Sequence, residues 1–149
     1  MPGLTPEESR ARFAGARVAR LATAGADGQP HLVAIVFAAT GDRIVHGVDH
    51  KPKSTMALKR LANIAANPRV SMLVDHYSER WEDLWWVRAD GLARVLEDAG
   101  ERAAALARLV ERYPQYGEQP PAGPVIEVQV TRWSGWSYSD LGIRGSGPC

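Results

Sequence analysis

The sequence predicts a mainly β fold, antiparallel and barrel-like, with two or three helices inserted between strands. Three observations predict it. β-Branched and aromatic residues concentrate in runs of strand length, above all LVAIVFA within His31–Ala39. Tight-turn signals separate such runs, at Asp27-Gly28 and at Thr40-Gly41-Asp42. Helical patterns occupy short stretches between them.

The elements follow in order. Thr5-Pro6-Glu7-Glu8 reads as a helix start, with Thr5 as cap, Pro6 in the first turn and Glu8 closing a capping box; the helix should end near Gly15. Val18–Thr23, His31–Ala39 and Arg43–Val48 read as three strands of an antiparallel meander. A helix from about Ser54 to Ala66 carries Leu58, Leu61 and Ala65 on one face, with Lys53, Arg60 and Asn67 along a neighbouring stripe. Pro68 helps to stop it. Val70–His76 is a buried strand and Leu84–Leu96 a long one, with a bulge expected at Gly91. Asp98–Tyr113 is a helix capped by Asp98 and Glu101, with Leu106, Leu109 and Val110 inward. Tyr113–Gly123 is a Pro/Gly loop and Val125–Val130 the last strand. Residues 1–140 are expected to form one domain and 141–149 a flexible tail.

Composition narrows the function. A chain of 149 residues buries a real core, and a net charge of +1 offers no global field for nucleic acid or an anionic membrane. The single cysteine, Cys149, excludes a disulfide within the chain and suits a cytoplasmic protein. No apolar run approaches a membrane span, and MPGLTPEESRARFAGA lacks the apolar stretch of a secretory signal. His31, His46, His50 and His76 form no metal-ligand pattern, and no Ser-His-Asp, Cys-His or paired-carboxylate arrangement can be argued.

One stretch stands out: DHKPKSTMALKRLANIAANPRVSMLV, from Asp49 to Val74. A strand end leads into Lys51-Pro52-Lys53, then Ser54-Thr55, then a helix bearing Lys59 and Arg60. Free N–H groups and the helix dipole favour anions at such a helix start. The plain alternative is a solvated helix face capped by Ser54 or Thr55. Trp85 and Trp86 fall on opposite faces of a strand, so one of them is expected to face a partner subunit.

Together, LATAGADGQPHLVAIVF, the basic helix start, ANPRVSMLV, LWWVRADG and RWSGW resemble the split β-barrel oxidoreductases related to pyridoxamine 5'-phosphate oxidase. They look most like the actinobacterial branch that uses the deazaflavin coenzyme F420. The resemblance implies a homodimer with cofactor grooves between subunits, and hydride exchange between the deazaflavin and an electron-poor acceptor. It sets Ala34 and Ile35 beside the ring, where many relatives carry proline in place of Ala34. It leads Val48, Asp49, Lys51 and Pro52 into a phosphate-binding turn, with Lys53, Ser54 and Thr55 at the helix N-terminus and Lys59 and Arg60 on the phosphate. Trp136, then Trp133, would be the C-terminal aromatic that reaches the partner's cofactor. The ending YSDLGIRGSGPC lacks the Arg-rich terminus of true pyridoxamine phosphate oxidases, which argues against that substrate. FMN is the alternative cofactor, and a carrier without turnover the alternative role. No catalytic side chain is expected, because such cofactors carry the chemistry themselves.

Overall fold

Antiparallel pairing organises the chain. In the computed structural model residues 3–48 and 55–139 are described, with 55–58 described by backbone alone. Seven strands are β1 (Ala19–Ala24), β2 (Pro30–Ile35), β3 (Ala38–Thr40), β4 (Arg43–Gly47), β5 (Arg69–His76), β6 (Trp85–Val95) and β7 (Val125–Ser137). Four α-helices are α1 (Pro6–Gly15), α2 (Thr55–Ala66), α3 (Ala99–Arg112) and the short α4 (Gln115–Glu118). The strands form one curled half-barrel sheet in the order β2-β1-β5-β6-β7-β4-β3, every pairing antiparallel.

That order corrects the expected meander. β1 and β2 do form a hairpin, but β3 and β4 lie at the opposite edge of the sheet. The expected strand His31–Ala39 is two strands that break at Val36-Phe37. The reason is a side chain: the Tyr113 hydroxyl accepts from the Phe37 N–H at 3.1 Å and lies 2.8 Å from the Phe37 carbonyl and 2.9 Å from that of Arg17. Backbone groups that would otherwise extend the ladder are satisfied by a phenol, so the chain turns away. The last strand runs on to Ser137 instead of stopping at Val130, because RWSGW and Ser137 pair with Trp85–Asp90, the first half of β6. α4 occupies part of the expected Pro/Gly loop.

Other local features follow the sequence. Thr5 and Glu8 form the capping box of α1, and Asp98 caps α3 by accepting from the Glu101 N–H. A register shift marks Asp90/Gly91, where a Cβ on Gly91 would lie 2.3 Å from the Gln129 carbonyl oxygen. Gly41, at φ +59°, makes the β3–β4 turn.

Two apolar clusters form the core. The larger fills the curl of the sheet with Phe13, Leu21, Phe37, Ile44, Met72 and Ile126 among others. The smaller lies under α3, around Val45, Leu96, Leu109, Tyr113 and Val125. β4 is therefore covered on both faces, Ile44 on one and Val45 on the other. Trp133 belongs to the core: its ring meets Phe13 edge-on at 5.5 Å, and its Nε1 donates to Asp42 at 2.8 Å. Arg10 first, then Trp133, hold the Asp42 carboxyl below its ordinary pKa. Among the described residues no helix is long and apolar enough to cross a membrane.

The Tyr113→Phe variant tests the strand break. Removing the hydroxyl strands the Phe37 amide, so the protein should lose about 1–3 kcal/mol of stability in urea unfolding. An unchanged midpoint would mean the phenol does not hold the break.

Candidate functional site

Side chains alternate along β4, so His46 shares the inward face of Ile44 and Val48. It is 7% exposed. Its Nδ1–H donates to the Val36 carbonyl at 3.0 Å. A carbonyl only accepts, so the neutral ring leaves Nε2 as an acceptor. Into that position Arg60 of α2 donates from Nη1 at 2.6 Å. Burial first, and then the charge of Arg60, push the His46 pKa down to about 4, while the Val36 hydrogen bond opposes them.

Arg60 is itself buried, and burial lowers its pKa below the ordinary arginine value. A guanidinium nevertheless stays protonated at neutral pH. Among the described residues no carboxylate pairs with it, and its buried Nε has no hydrogen-bond partner. The site therefore holds a cation whose only described hydrogen bond is to a neutral ring. Buried charges are normally paired, so this guanidinium is suited to an anionic group.

Leu58 of the expected apolar stripe lies outside the described side chains of α2, and the described ones follow a different pattern. Among them Arg60, Asn63 and Ile64 are buried, Leu61 is half-buried and Ala65 exposed. Polar residues can face inward because they are satisfied there: Asn63 donates from Nδ2 to Thr23 Oγ1 at 3.0 Å, and Arg60 meets His46.

The expected site residues separate into groups. Asp49, Lys51, Pro52, Lys53 and Ser54 lie outside the described residues, and Thr55 is described only as the first residue of α2. Lys59 is exposed while Arg60 turns inward, so the two adjacent cations do not act as a pair on one face. Val48 packs in the core, and its N–H is taken by the Pro124 carbonyl at 2.8 Å. Ala34 and Ile35 face opposite sides of β2: Ala34 is exposed on the outer face and Ile35 is buried. Among the described strands β2 is an edge, so one row of its backbone groups has no described strand partner.

Trp136 lies elsewhere, on the outer face of the sheet beside Trp86, its cross-strand partner. Both line an open cavity of about 740 Å³ together with Leu32, Leu73, Arg20 and Arg88. The Trp136 Nε1 is buried without a hydrogen-bond partner, which leaves a donor for a ligand oxygen. Arg20 is already paired with Asp75 at 3.7 Å and Arg88 with Asp90 at 3.2 Å, so the cavity is flanked by compensated charges. Arg60 is not among its walls. His46 and Trp86 are the residues that sequence reasoning missed as site candidates. His46 was weighed there only as a metal ligand, and only its inward register in β4 reveals its role.

The sequence matches the family described as pyridoxamine 5'-phosphate oxidase over residues 5–137. The chain belongs to the pyridoxamine 5'-phosphate oxidase family. Its curled half-barrel is the split-barrel fold of that family. Among solved structures it is similar to the conserved hypothetical protein Rv2991 of Mycobacterium tuberculosis, at 24% identity and a TM-score of 0.74, over 98% of this chain and 92% of that one. It is similar to a FAD-binding protein of Mesorhizobium loti, at 22% identity and a TM-score of 0.68, over 90% and 95% of the two chains. It is also similar to the heme storage protein HutZ of Vibrio cholerae, at 19% identity and a TM-score of 0.67, over 93% and 99%. At these identities the likeness shows the fold alone. No curated protein matches the sequence.

The buried imidazole gives this pyridoxamine 5'-phosphate oxidase family member a pH signature. Its pKa falls from 6.5 to about 4 on folding, so between those values the unfolded chain binds the extra proton. Stability then rises with pH through that window and is lost as pH falls from 6.5 toward 4. The loss should approach about 3 kcal/mol and be absent in His46→Gln. Parallel pH–stability curves for the two proteins would contradict the buried neutral state.

Proposed function

We propose that this protein is an oxidoreductase that uses reduced coenzyme F420, with the cofactor's phosphate held at Arg60. The observation that carries this reading is the buried Arg60 guanidinium, which has His46 on one side, an unpartnered Nε and no described carboxylate. An anionic oxygen accepting from that guanidinium would offset a charge that no described carboxylate compensates. α2 begins at Thr55, about one and a half turns before Arg60, and its start would add backbone N–H donors for a phosphate. Lys51 and Lys53 belong to the proposal from sequence, and they suit the acidic tail that F420 carries beyond its phosphate.

The residues fit such a group on chemical grounds: one orphaned buried cation for an anion, one orphaned indole N–H and an aromatic-lined cavity for a ring system. When bound, a deazaflavin supplies the hydride chemistry. The protein's own part is positional. Arg60 fixes the phosphate, the edge of β2 near Ala34 meets the ring with backbone groups, and Trp86 and Trp136 exclude water from the acceptor side.

Arg60 and the tryptophan cavity do not share one surface in a single chain, and this favours a site completed by a second copy. Leu32 at 66% exposure, Leu73 at 37% and Leu92 at 49% give the outer face of the sheet the apolar character of an interface. FMN is the second reading, favoured by the FAD-binding name of the similarly folded Mesorhizobium loti protein. A binding protein without turnover is the third, and the heme storage protein HutZ carries a name of that kind on a similar fold.

Fluorescence titration with F420, FMN and FAD tests the reading. F420 should bind tightest, and Arg60→Ala should weaken its binding at least about tenfold without loss of fold. Preference for a flavin would move the protein to the second reading, and unchanged affinity in Arg60→Ala would refute the anion site. For the dimer, light scattering should give twice the chain mass for wild type, and a single-chain mass for the double variant Leu32→Glu, Leu73→Glu. A monomeric wild type would overturn the shared site.

A further inference from the structure

We propose that His46 is a positioning residue: its ring holds the Arg60 guanidinium in the orientation that receives the anion. The inference rests on the anion site proposed above and adds a residue from a different strand to it. It stands on geometry. An arginine side chain has several rotatable bonds, and left alone in a polar corner it would sample many directions at an entropic cost to any ligand that fixes it. Here one guanidinium nitrogen is already committed, because Nη1 donates to His46 Nε2 at 2.6 Å. The remaining donors keep the fixed fork geometry of the guanidinium, so fixing one nitrogen aims the others.

The imidazole can aim it because it is itself held. Val36 anchors Nδ1 at 3.0 Å, at the point where the chain breaks between β2 and β3. The ring is buried on β4, whose two faces are both covered by core residues. Val36 thus sets the tautomer, the tautomer makes Nε2 an acceptor, and the acceptor fixes Arg60. A carboxylate in place of His46 would also hold the arginine, but it would neutralise the charge that an anionic ligand needs. A neutral acceptor orients the cation without quenching it.

Two substitutions separate positioning from a structural role. Asparagine keeps an N–H near the place of Nδ1, so it preserves the Val36 contact and loses the Arg60 contact. Glutamine reaches about as far as Nε2, so it preserves an acceptor for Arg60 and loses the Val36 contact. FMN and coenzyme F420 serve as titrants, with thermal unfolding measured alongside. For whichever cofactor wild type binds, His46→Asn should weaken binding about tenfold while His46→Gln stays within about threefold of wild type. In an Arg60→Ala background, His46→Asn should produce no further loss, since the two residues act through one another. If Arg60→Ala weakens binding but His46→Asn binds as wild type, or weakens it no more than His46→Gln, the positioning role is overturned and the anion site stands. If Arg60→Ala binds the cofactor as wild type does, both are overturned.

Discussion

A guanidinium placed inside a protein must be answered by something, and the Arg60–His46 contact is the constraint on which the site depends. Leaving a cation buried without a counter-charge costs several kcal/mol, and a single hydrogen bond to a neutral ring offsets only part of that. Among the described residues Arg60 has no counter-charge, and it lies where α2 packs beside β1 and β6. Elsewhere the described ion pairs are exposed or half-exposed, as in Arg94 with Glu101, or answer a buried carboxylate with an exposed arginine, as Arg94 does for Glu127. That contrast is the basis of the anion site proposed at Arg60.

Much of the fold exists in the shape that this contact requires. The Tyr113 hydroxyl ends β2 at Ile35 and frees the Val36 carbonyl for His46. Cover on both sides of β4 keeps the imidazole dry and neutral. Asn63, one turn beyond Arg60, pins α2 to Thr23 of β1, so the helix cannot roll away and carry the guanidinium with it. The other face of the sheet has a different character, with Trp86, Trp136 and exposed leucines around an open cavity. The proposed site, completed by a second copy, would combine the charged corner of one chain with the aromatic surface of the other.

The sequence makes the elements legible where local chemistry dictates them. The Thr5–Glu8 capping box, the Asp98 cap and the glycine at the β6 bulge all sit where sequence reasoning puts them. Long-range partners were not legible. Nothing near Val36 announces that a tyrosine some 76 residues later takes over its neighbour's backbone, so one strand was expected where two exist. Strand order likewise depends on pairings between distant segments, and the meander expectation failed for that reason. For the site, pattern singled out Arg60 as a cation but set it beside Lys59, whereas successive helix positions diverge by about 100° and only Arg60 turns inward. His46 escaped notice because its value lies in burial and tautomer, which no spacing encodes.

The central claim is that the buried cation receives an anion, and paired titrations test it most directly. F420 is compared with its deazaflavin core lacking the phosphate and acidic tail, and FMN with riboflavin. In the pair that binds, the account predicts that the phosphorylated member binds at least about a hundredfold more tightly. Equal affinity within each pair, or no binding of any of the four, would contradict it.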